Sequence, residues 1–124
     1  MLDILTGEII GLAIKVHKEL GPGLLESAYK ECLFYELNEN GFDVQKEVPI
    51  PLIYNNVMLE CGYRADILIG NTVIIEVKAV KALEDVHLAQ ILSYLKLANC
   101  KVGLLINFNV LQLKDGIKRV ANGY

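Results

Sequence analysis

Residues 62–80, GYRADILIGNTVIIEVKAV, constrain the fold more than any other stretch of the sequence. Two apolar runs of strand-like composition flank a Gly-Asn pair, which is typical of a hairpin turn. Further along, a helical pattern from about Leu83 to Ala98 precedes a short apolar run from Lys101 to Asn107. A strand, a helix and a strand in succession require a crossover connection and favour a parallel pair. The chain is therefore expected to form a mixed sheet.

The first forty residues follow a helical period instead. Residues 3–19 place apolar side chains three and four positions apart, and a second helical pattern runs from about 24 to 40, after a Gly-Pro-Gly break. Strand patterns cover 42–53, 57–69 and 72–80, and the tail 110–124 fits one more short strand or helix. The predicted order is α-α-β-β-β-α-β, an α/β fold with four to five strands, helices on both faces and one domain spanning 1–124.

Composition limits the functional classes. A hydrophobic fraction of 53% in 124 residues supports a real core. Cys32, Cys61 and Cys100 are odd in number and widely spaced, so we expect free thiols in a reducing cytoplasm. No apolar run reaches the roughly 18 residues that span a bilayer, so no membrane partner is expected. The net charge of −3 by itself argues against tight general binding to nucleic acid.

Three charges interrupt the two apolar runs: Asp66 in the first, and Glu76 and Lys78 in the second. A charge inside a buried strand is costly unless it is paired, hydrated or bound to a metal. Because side chains alternate along a strand, Glu76 and Lys78 share one face of the sheet. Whether Asp66 joins them depends on the register of the hairpin.

Two registers are open. A two-residue turn would pair Ile69 with Thr72 and put the two carboxylates on opposite faces, because a shift of one residue exchanges the faces. A three-residue turn would pair Ile69 with Val73 and bring Asp66 directly opposite Glu76. The second register is the one that a shared site requires.

Two carboxylates opposite each other repel unless a cation compensates them. Their oxygens suit Mg²⁺ or Mn²⁺, and Lys78 beside such an ion could stabilise charge that develops on a phosphate. This combination indicates metal-assisted hydrolysis of a phosphodiester. The alternative is the solvated face of a half-exposed strand on which Lys78 pairs with a carboxylate, and spacing alone does not decide between the two.

Two further motifs lie outside the hairpin. Residues 23–29 read G-x-x-E-x-x-Y, and residues 90–94 read Q-x-x-x-Y. Together with GYRADILI and IEVKAV, these motifs make the chain resemble the GxxExxY family, a small branch of the PD-(D/E)xK nuclease superfamily, from about Ile9 to Val120. Ala65 stands where the proline of the superfamily name would be.

The resemblance implies a restriction-endonuclease-like core and a site that depends on Mg²⁺ or Mn²⁺. It implies Asp66 and Glu76 as direct metal ligands, the backbone carbonyl of Val77 as a further ligand, and Glu26 as a helix-borne acid near the metal. Lys78 would be the catalytic lysine, acting with the three acids.

The resemblance also implies that Gln90 and Tyr94 contact the substrate from a helix. Arg64 is expected to join them in substrate binding, because strand alternation puts it on the face of Asp66. A local basic patch would then include Lys30, Lys46, Arg64, Lys78, Lys81 and Lys96.

Each helical residue also has a structural interpretation. Glu26 could be a first-turn acid favoured by the helix dipole. Gln90 and Tyr94, four residues apart, could be the edge of an amphipathic helix. His17 and His87 match no motif and are expected to be structural or at the surface.

The leading functional hypothesis is a metal-dependent nuclease domain, with DNA favoured over RNA as substrate. With three acids assigned to the metal, 12 basic and 12 acidic side chains remain, so a nucleic-acid substrate is not excluded. Weak affinity is expected, or dependence on a homodimer or a partner protein. The alternatives are a non-catalytic interaction module that keeps the nuclease fold and, less favoured, metal-dependent chemistry on another phosphate ester.

Overall fold

The computed structural model describes residues 2–123 and contains a central five-stranded sheet with helices on both faces. The elements in chain order are α1 (Leu2–Leu20), α2 (Glu26–Glu39), β1 (Val44–Pro49), β2 (Leu52–Tyr54), β3 (Val57–Leu59), β4 (Arg64–Ile69), β5 (Val73–Lys78), α3 (Asp85–Ala98), β6 (Val102–Asn107), a short 3-10 helix (Leu113–Gly116) and β7 (Ile117–Ala121).

The main sheet has the strand order β1-β4-β5-β6-β7. Strands β5 and β6 are parallel, and the other three neighbouring pairs are antiparallel. Helix α3 makes the crossover between the two parallel strands, as the strand-helix-strand pattern predicts. Strands β2 and β3 form a separate two-stranded hairpin. The predicted α/β class with a mixed sheet is confirmed.

Two long strand predictions differ from the structure in their boundaries. The segment 42–53 divides into β1 and β2 around Ile50 and Pro51, since proline cannot donate to a ladder. The segment 57–69 divides into β3 and β4 across residues 60–63, where Gly62 adopts a φ of 81°. The short β2–β3 hairpin therefore leaves the main sheet. In the tail the structure has both a 3-10 helix and a strand.

Two hydrophobic clusters cover the two faces of the sheet. The larger cluster packs α1 and α2 on one face, with Ile67, Ile75 and Val77 among its sheet residues. The smaller cluster packs α3 on the other face, over Ile74 and Leu105. Glu76 follows Ile74 by two positions and therefore lies on the α3 face.

Helix α3 packs closely on β6 because Gly103 has no side chain. A Cβ atom at Gly103 would lie 2.8 Å from Cδ1 of Ile91 and 3.2 Å from Cδ1 of Leu95. This contact fixes the height of α3 above the sheet, and so the position of Tyr94 one turn along the helix. In the described part of the chain, no helix is both long and apolar enough to cross a membrane.

Candidate metal and nuclease site

The turn between β4 and β5 has three residues. Ile69 pairs with Val73, and the register continues through Leu68 with Ile74 and Ile67 with Ile75. The register that brings the two carboxylates together is therefore the one that the structure adopts. The next residues along the two strands are Asp66 and Glu76.

At Asp66 and Glu76, side chains replace the backbone ladder. The backbone N–H of Asp66 donates to Oε2 of Glu76 at 2.8 Å, and the backbone N–H of Val77 donates to Oδ2 of Asp66 at 2.8 Å. Each carboxylate thus has one oxygen bonded to the backbone of the neighbouring strand. Oδ1 of Asp66 and Oε1 of Glu76 are the oxygens that these two bonds leave for another ligand.

The side chains of β4 stop alternating between the two faces of the sheet at Asp66. Ala65 packs in the cluster under α3, whereas Ile67, two positions on, packs in the cluster under α1 and α2. Strand β1 changes face at the matching position, Glu47, which has a φ of 54°. The Asp66 carboxylate accordingly reaches across the gap to β5 rather than standing on one face. Such interruptions commonly mark sites where a side chain is redirected.

The two carboxylates are held in an environment that favours protonation. Burial, followed by the charge of Asp66, raises the pKa of Glu76 to about 8. Burial also raises the pKa of Asp66, although the hydrogen bond from Val77 and the charge of Lys30 oppose the change. Glu76 is 4% exposed. The positive charges nearby do not cancel the effect of burial on either pKa, and a bound divalent cation would add the charge that favours ionisation.

Two lysines flank the pair. The charge of Lys78 lowers the pKa of both carboxylates, after the larger effects already described. Lys30, on α2, places Nζ 4.0 Å from Oδ1 of Asp66 and also pairs with Glu47. Lys78 was predicted from its motif, whereas the proximity of Lys30 depends on how α2 packs against the sheet.

Glu26 is the first residue of α2 and is exposed. Its negative charge contributes to the raised pKa values of Asp66 and Glu76, after burial and the nearer groups, so it acts on the pair from a longer distance. In the described part of the chain, no three His, Cys, Asp or Glu side chains converge as a metal-holding group. Of the three acids predicted to form the site, only Asp66 and Glu76 are in direct contact with each other's strand.

The tyrosine of the G-x-x-E-x-x-Y motif holds the start of α2. The hydroxyl of Tyr29 donates to the carbonyl of Gly21 at 2.5 Å and accepts from the N–H of Leu24 at 3.1 Å. Its ring stacks on Phe108 with 4.6 Å between the centroids. Gly23, with a φ of 99°, allows the loop to turn into the helix. Tyr29 thus ties the loop before Glu26 to the core.

The three residues predicted to bind substrate differ in their surroundings, and only Tyr94 shows an electrostatic interaction with the carboxylate pair. Tyr94 is nearly buried, and burial, then the charge of Glu76, raises the pKa of its hydroxyl. Gln90 lies one turn earlier on α3 and is half-buried. Arg64 is exposed and donates to the carbonyl of Glu47 at 3.4 Å. The alternation on which its placement relied is interrupted at Asp66, two residues away.

Sequence reasoning missed three residues near the site. The ring of Tyr63 lies 6.1 Å from that of Tyr94, between centroids. Glu47 pairs with Lys30. The side chain of Asn107 accepts from the N–H of Val80 at 3.0 Å and donates to its carbonyl at 2.9 Å, which fixes the chain just after Lys78. In the sequence, the only indication of a role for Asn107 was that a polar residue ends an otherwise apolar strand.

Both histidines have structural roles, as expected. Nε2 of His17 lies 2.8 Å from the carbonyl oxygen of Val110 and the residue is buried. Nδ1 of His87 accepts from the backbone N–H of Glu84 at 2.8 Å, as part of the capping box that begins α3.

The mixed sheet, its flanking helices and the acid pair beside a lysine define an α/β domain of the restriction-endonuclease-like class. A family model described as the PD-(D/E)XK nuclease superfamily matches residues 3–120. The chain belongs to the PD-(D/E)XK nuclease superfamily. Comparison with curated proteins and with solved structures found no match.

Proposed function

We propose that this chain is a divalent-metal-dependent nuclease domain of the GxxExxY branch, which hydrolyses phosphodiester bonds of nucleic acid, with DNA favoured over RNA. The observation that carries the proposal is the pairing of Asp66 with Glu76 in the gap between β4 and β5. A structural ion pair would combine opposite charges. Two adjacent carboxyl groups, of which that of Glu76 is buried, form an arrangement whose ionised state a divalent cation would stabilise.

The donor set fits Mg²⁺ or Mn²⁺. Oδ1 of Asp66 and Oε1 of Glu76 would hold the ion, with the backbone carbonyl of Val77 as a third protein ligand and Glu26 adding negative charge from α2. A bound ion of this kind supplies a more acidic water and a Lewis acid for the phosphoryl oxygen. The two backbone N–H groups orient the carboxylates and leave their other oxygens available.

The remaining residues act on the substrate. Negative charge accumulates on the phosphoryl oxygens as water attacks phosphorus, and the ammonium group of Lys78 stabilises that charge. Tyr94 and Gln90 approach from α3, where their hydroxyl and amide groups can donate to the nucleic-acid backbone. Arg64, exposed on the neighbouring strand, would contact a phosphate farther from the scissile bond.

The test is cleavage of labelled single- and double-stranded DNA and RNA with Mg²⁺, with Mn²⁺ and with chelator. Wild-type protein should cut only with a divalent cation. Glu76→Gln and Lys78→Met should each lower the rate by at least about 100-fold, within the range seen when a charged transition-state contact is removed.

The matched controls are Glu39→Gln, an exposed acid at the end of α2, and Lys118→Met, an exposed lysine on β7. Both should retain wild-type cleavage. If a control variant lost as much cleavage activity as the corresponding site variant, the assignment of the site would be contradicted. Cleavage that persists in chelator would contradict metal dependence, and turnover of small phosphodiesters alone would favour a different phosphate ester as substrate.

A second candidate is a non-catalytic interaction module with the nuclease fold. The exposed apolar side chains of the β2–β3 hairpin favour it, because clustered apolar surface commonly marks a protein contact. They are Ile53, Tyr54, Val57, Met58 and Leu59. Absence of metal-dependent cleavage on every substrate, together with self-association lost in Met58→Lys, would select this candidate over the nuclease.

A further inference from the structure

A second charged pair adjoins the carboxylates. It consists of Lys30 on α2 and Glu47 on β1, and Nζ of Lys30 also lies 4.0 Å from Oδ1 of Asp66. The side chains of Lys30 and Asp66 are each 15% exposed, whereas that of Glu47 is 44% exposed, so Lys30 lies between a partly buried and an exposed carboxylate. The oxygen that Lys30 approaches is the one that the hydrogen bond from Val77 leaves free.

The backbone of β1 is shaped around Glu47. Lys46 pairs with Ile67 and Val48 with Ala65, and the residues between them, Glu47 and Asp66, do not pair. Glu47 has a φ of 54°, which a residue with a Cβ atom rarely adopts. Such a conformation is energetically unfavourable and persists where the surroundings enforce it. The distortion coincides with the position opposite Asp66, the metal-ligand candidate.

Lys30 therefore has two acceptors that compete for it. Its direct hydrogen bond goes to Glu47, while Asp66 Oδ1 remains at 4.0 Å, beyond direct hydrogen bonding. If the Glu47 carboxylate were absent, the nearest negative oxygen for the ammonium group would be Asp66 Oδ1. A lysine bonded there would occupy the electrostatic position of the divalent cation.

We infer that Glu47 is a positioning residue that holds Lys30 back from Asp66, and so keeps Oδ1 of Asp66 open for the divalent cation. The inference rests on the proposed metal site and adds a residue that controls its occupancy. In this arrangement Lys30 stays close enough to limit the net negative charge of the two carboxylates, without filling the position between them.

The test measures Mn²⁺ binding by isothermal titration calorimetry, without nucleic acid. Glu47→Gln should weaken Mn²⁺ binding roughly tenfold, because a neutral amide holds the ammonium group less strongly than a carboxylate does and Lys30 can then move toward Asp66. Lys30→Met should tighten binding by about threefold, since a positive charge near the ligand oxygen is removed. In the Lys30→Met background, the Glu47→Gln change should alter affinity by less than about twofold, because no lysine remains to move.

The chain provides a matched control. Lys15 on α1 and Glu36 on α2 form another ion pair, which includes neither Lys30 nor Asp66. Glu36→Gln and Lys15→Met should leave Mn²⁺ affinity within about twofold of the wild type. Near-ultraviolet circular dichroism of every variant checks that the fold is retained.

Three results would overturn the inference, and one of them identifies failure of the proposed metal site. If Glu47→Gln weakens binding equally with and without Lys30, Glu47 acts only through its charge. If Glu47→Gln has no effect in either background, it does not position Lys30. If the wild type binds no Mn²⁺ while folded, the metal site itself is absent and both proposals fall.

Discussion

Replacement of Glu76 by glutamine should make the protein more stable at neutral pH in the absence of divalent cations. Glutamine has nearly the same shape, and its carbonyl oxygen can still accept the hydrogen bond from the N–H of Asp66. What the change removes is a buried carboxyl group that can ionise in the folded protein only at a cost, beside a second carboxylate. Burial and Asp66 raise the pKa of Glu76 from 4.5 to about 8, so the folded protein resists ionisation of this group.

The sign follows from proton binding. Between the unfolded value of 4.5 and the folded value of about 8, the folded protein holds a proton on Glu76 that the unfolded chain has released. Stability therefore falls as pH rises through this window, and is constant for this group above it. At 1.36 kcal/mol per pKa unit, the full loss is at most about 5 kcal/mol, and coupling with Asp66 divides it between the two groups.

The assay is urea unfolding from about pH 5 to about pH 9, with chelator, on wild type and Glu76→Gln. The stability of the wild type relative to the variant should decline across the window by several kcal/mol, of the order given by the pKa shift. Glu39→Gln, an exposed acid, should follow the wild type. A constant difference between wild type and Glu76→Gln at all pH values would refute the reasoning, because Glu76 would then ionise freely in the folded protein.

The other predictions concern packing. Gly103→Ala should destabilise the fold by about 1–3 kcal/mol, because the added methyl group would contact the α3 side chains. Gly11→Ala should instead stabilise the fold by up to about 1 kcal/mol, because Gly11 lies within α1 and has open space around it. Thermal unfolding of the two variants measures both changes. Tyr29→Phe should lower the free energy of unfolding, measured in urea, by about 1–3 kcal/mol, because two backbone groups lose their hydrogen-bond partner. Tyr35 is exposed, so Tyr35→Phe should change the free energy of unfolding by less than about 0.5 kcal/mol.

The fold was predictable where hydrophobic periodicity is regular. Residues 73–78 and 102–107 are buried almost throughout, as parallel strands at the centre of a sheet must be, and their apolar runs are visible in the sequence. The boundaries of β1 to β4 were harder to predict from the sequence. Pro51 and Gly62 locally interrupt two patterns that otherwise continue, and the interruption separates a hairpin from the main sheet. Strand periodicity does not indicate which sheet a strand will join.

The carboxylate pair was predictable because only one turn length brings Asp66 opposite Glu76, and that length pairs Ile69 with Val73. The surroundings of the pair were predicted only in part, because Lys30 was expected in a local basic patch but its pairing with Glu47 was not expected. Lys30 and Glu47 are 17 positions apart in the chain and meet only when α2 packs on β1. The interruption of alternation at Asp66 follows from the conformation of Glu47 opposite it, and no local pattern marks that conformation.

The physics that makes this region costly is also what makes it suited to a cation. The carboxylates lie at an opening between β4 and β5, where side chains have replaced backbone pairing, and burial opposes their ionisation. A cation bound there would offset the repulsion that the fold sustains, so binding energy would come partly from relief of that repulsion. Neutral residues at both positions would remove this repulsion and, with it, the ligands of the proposed cation.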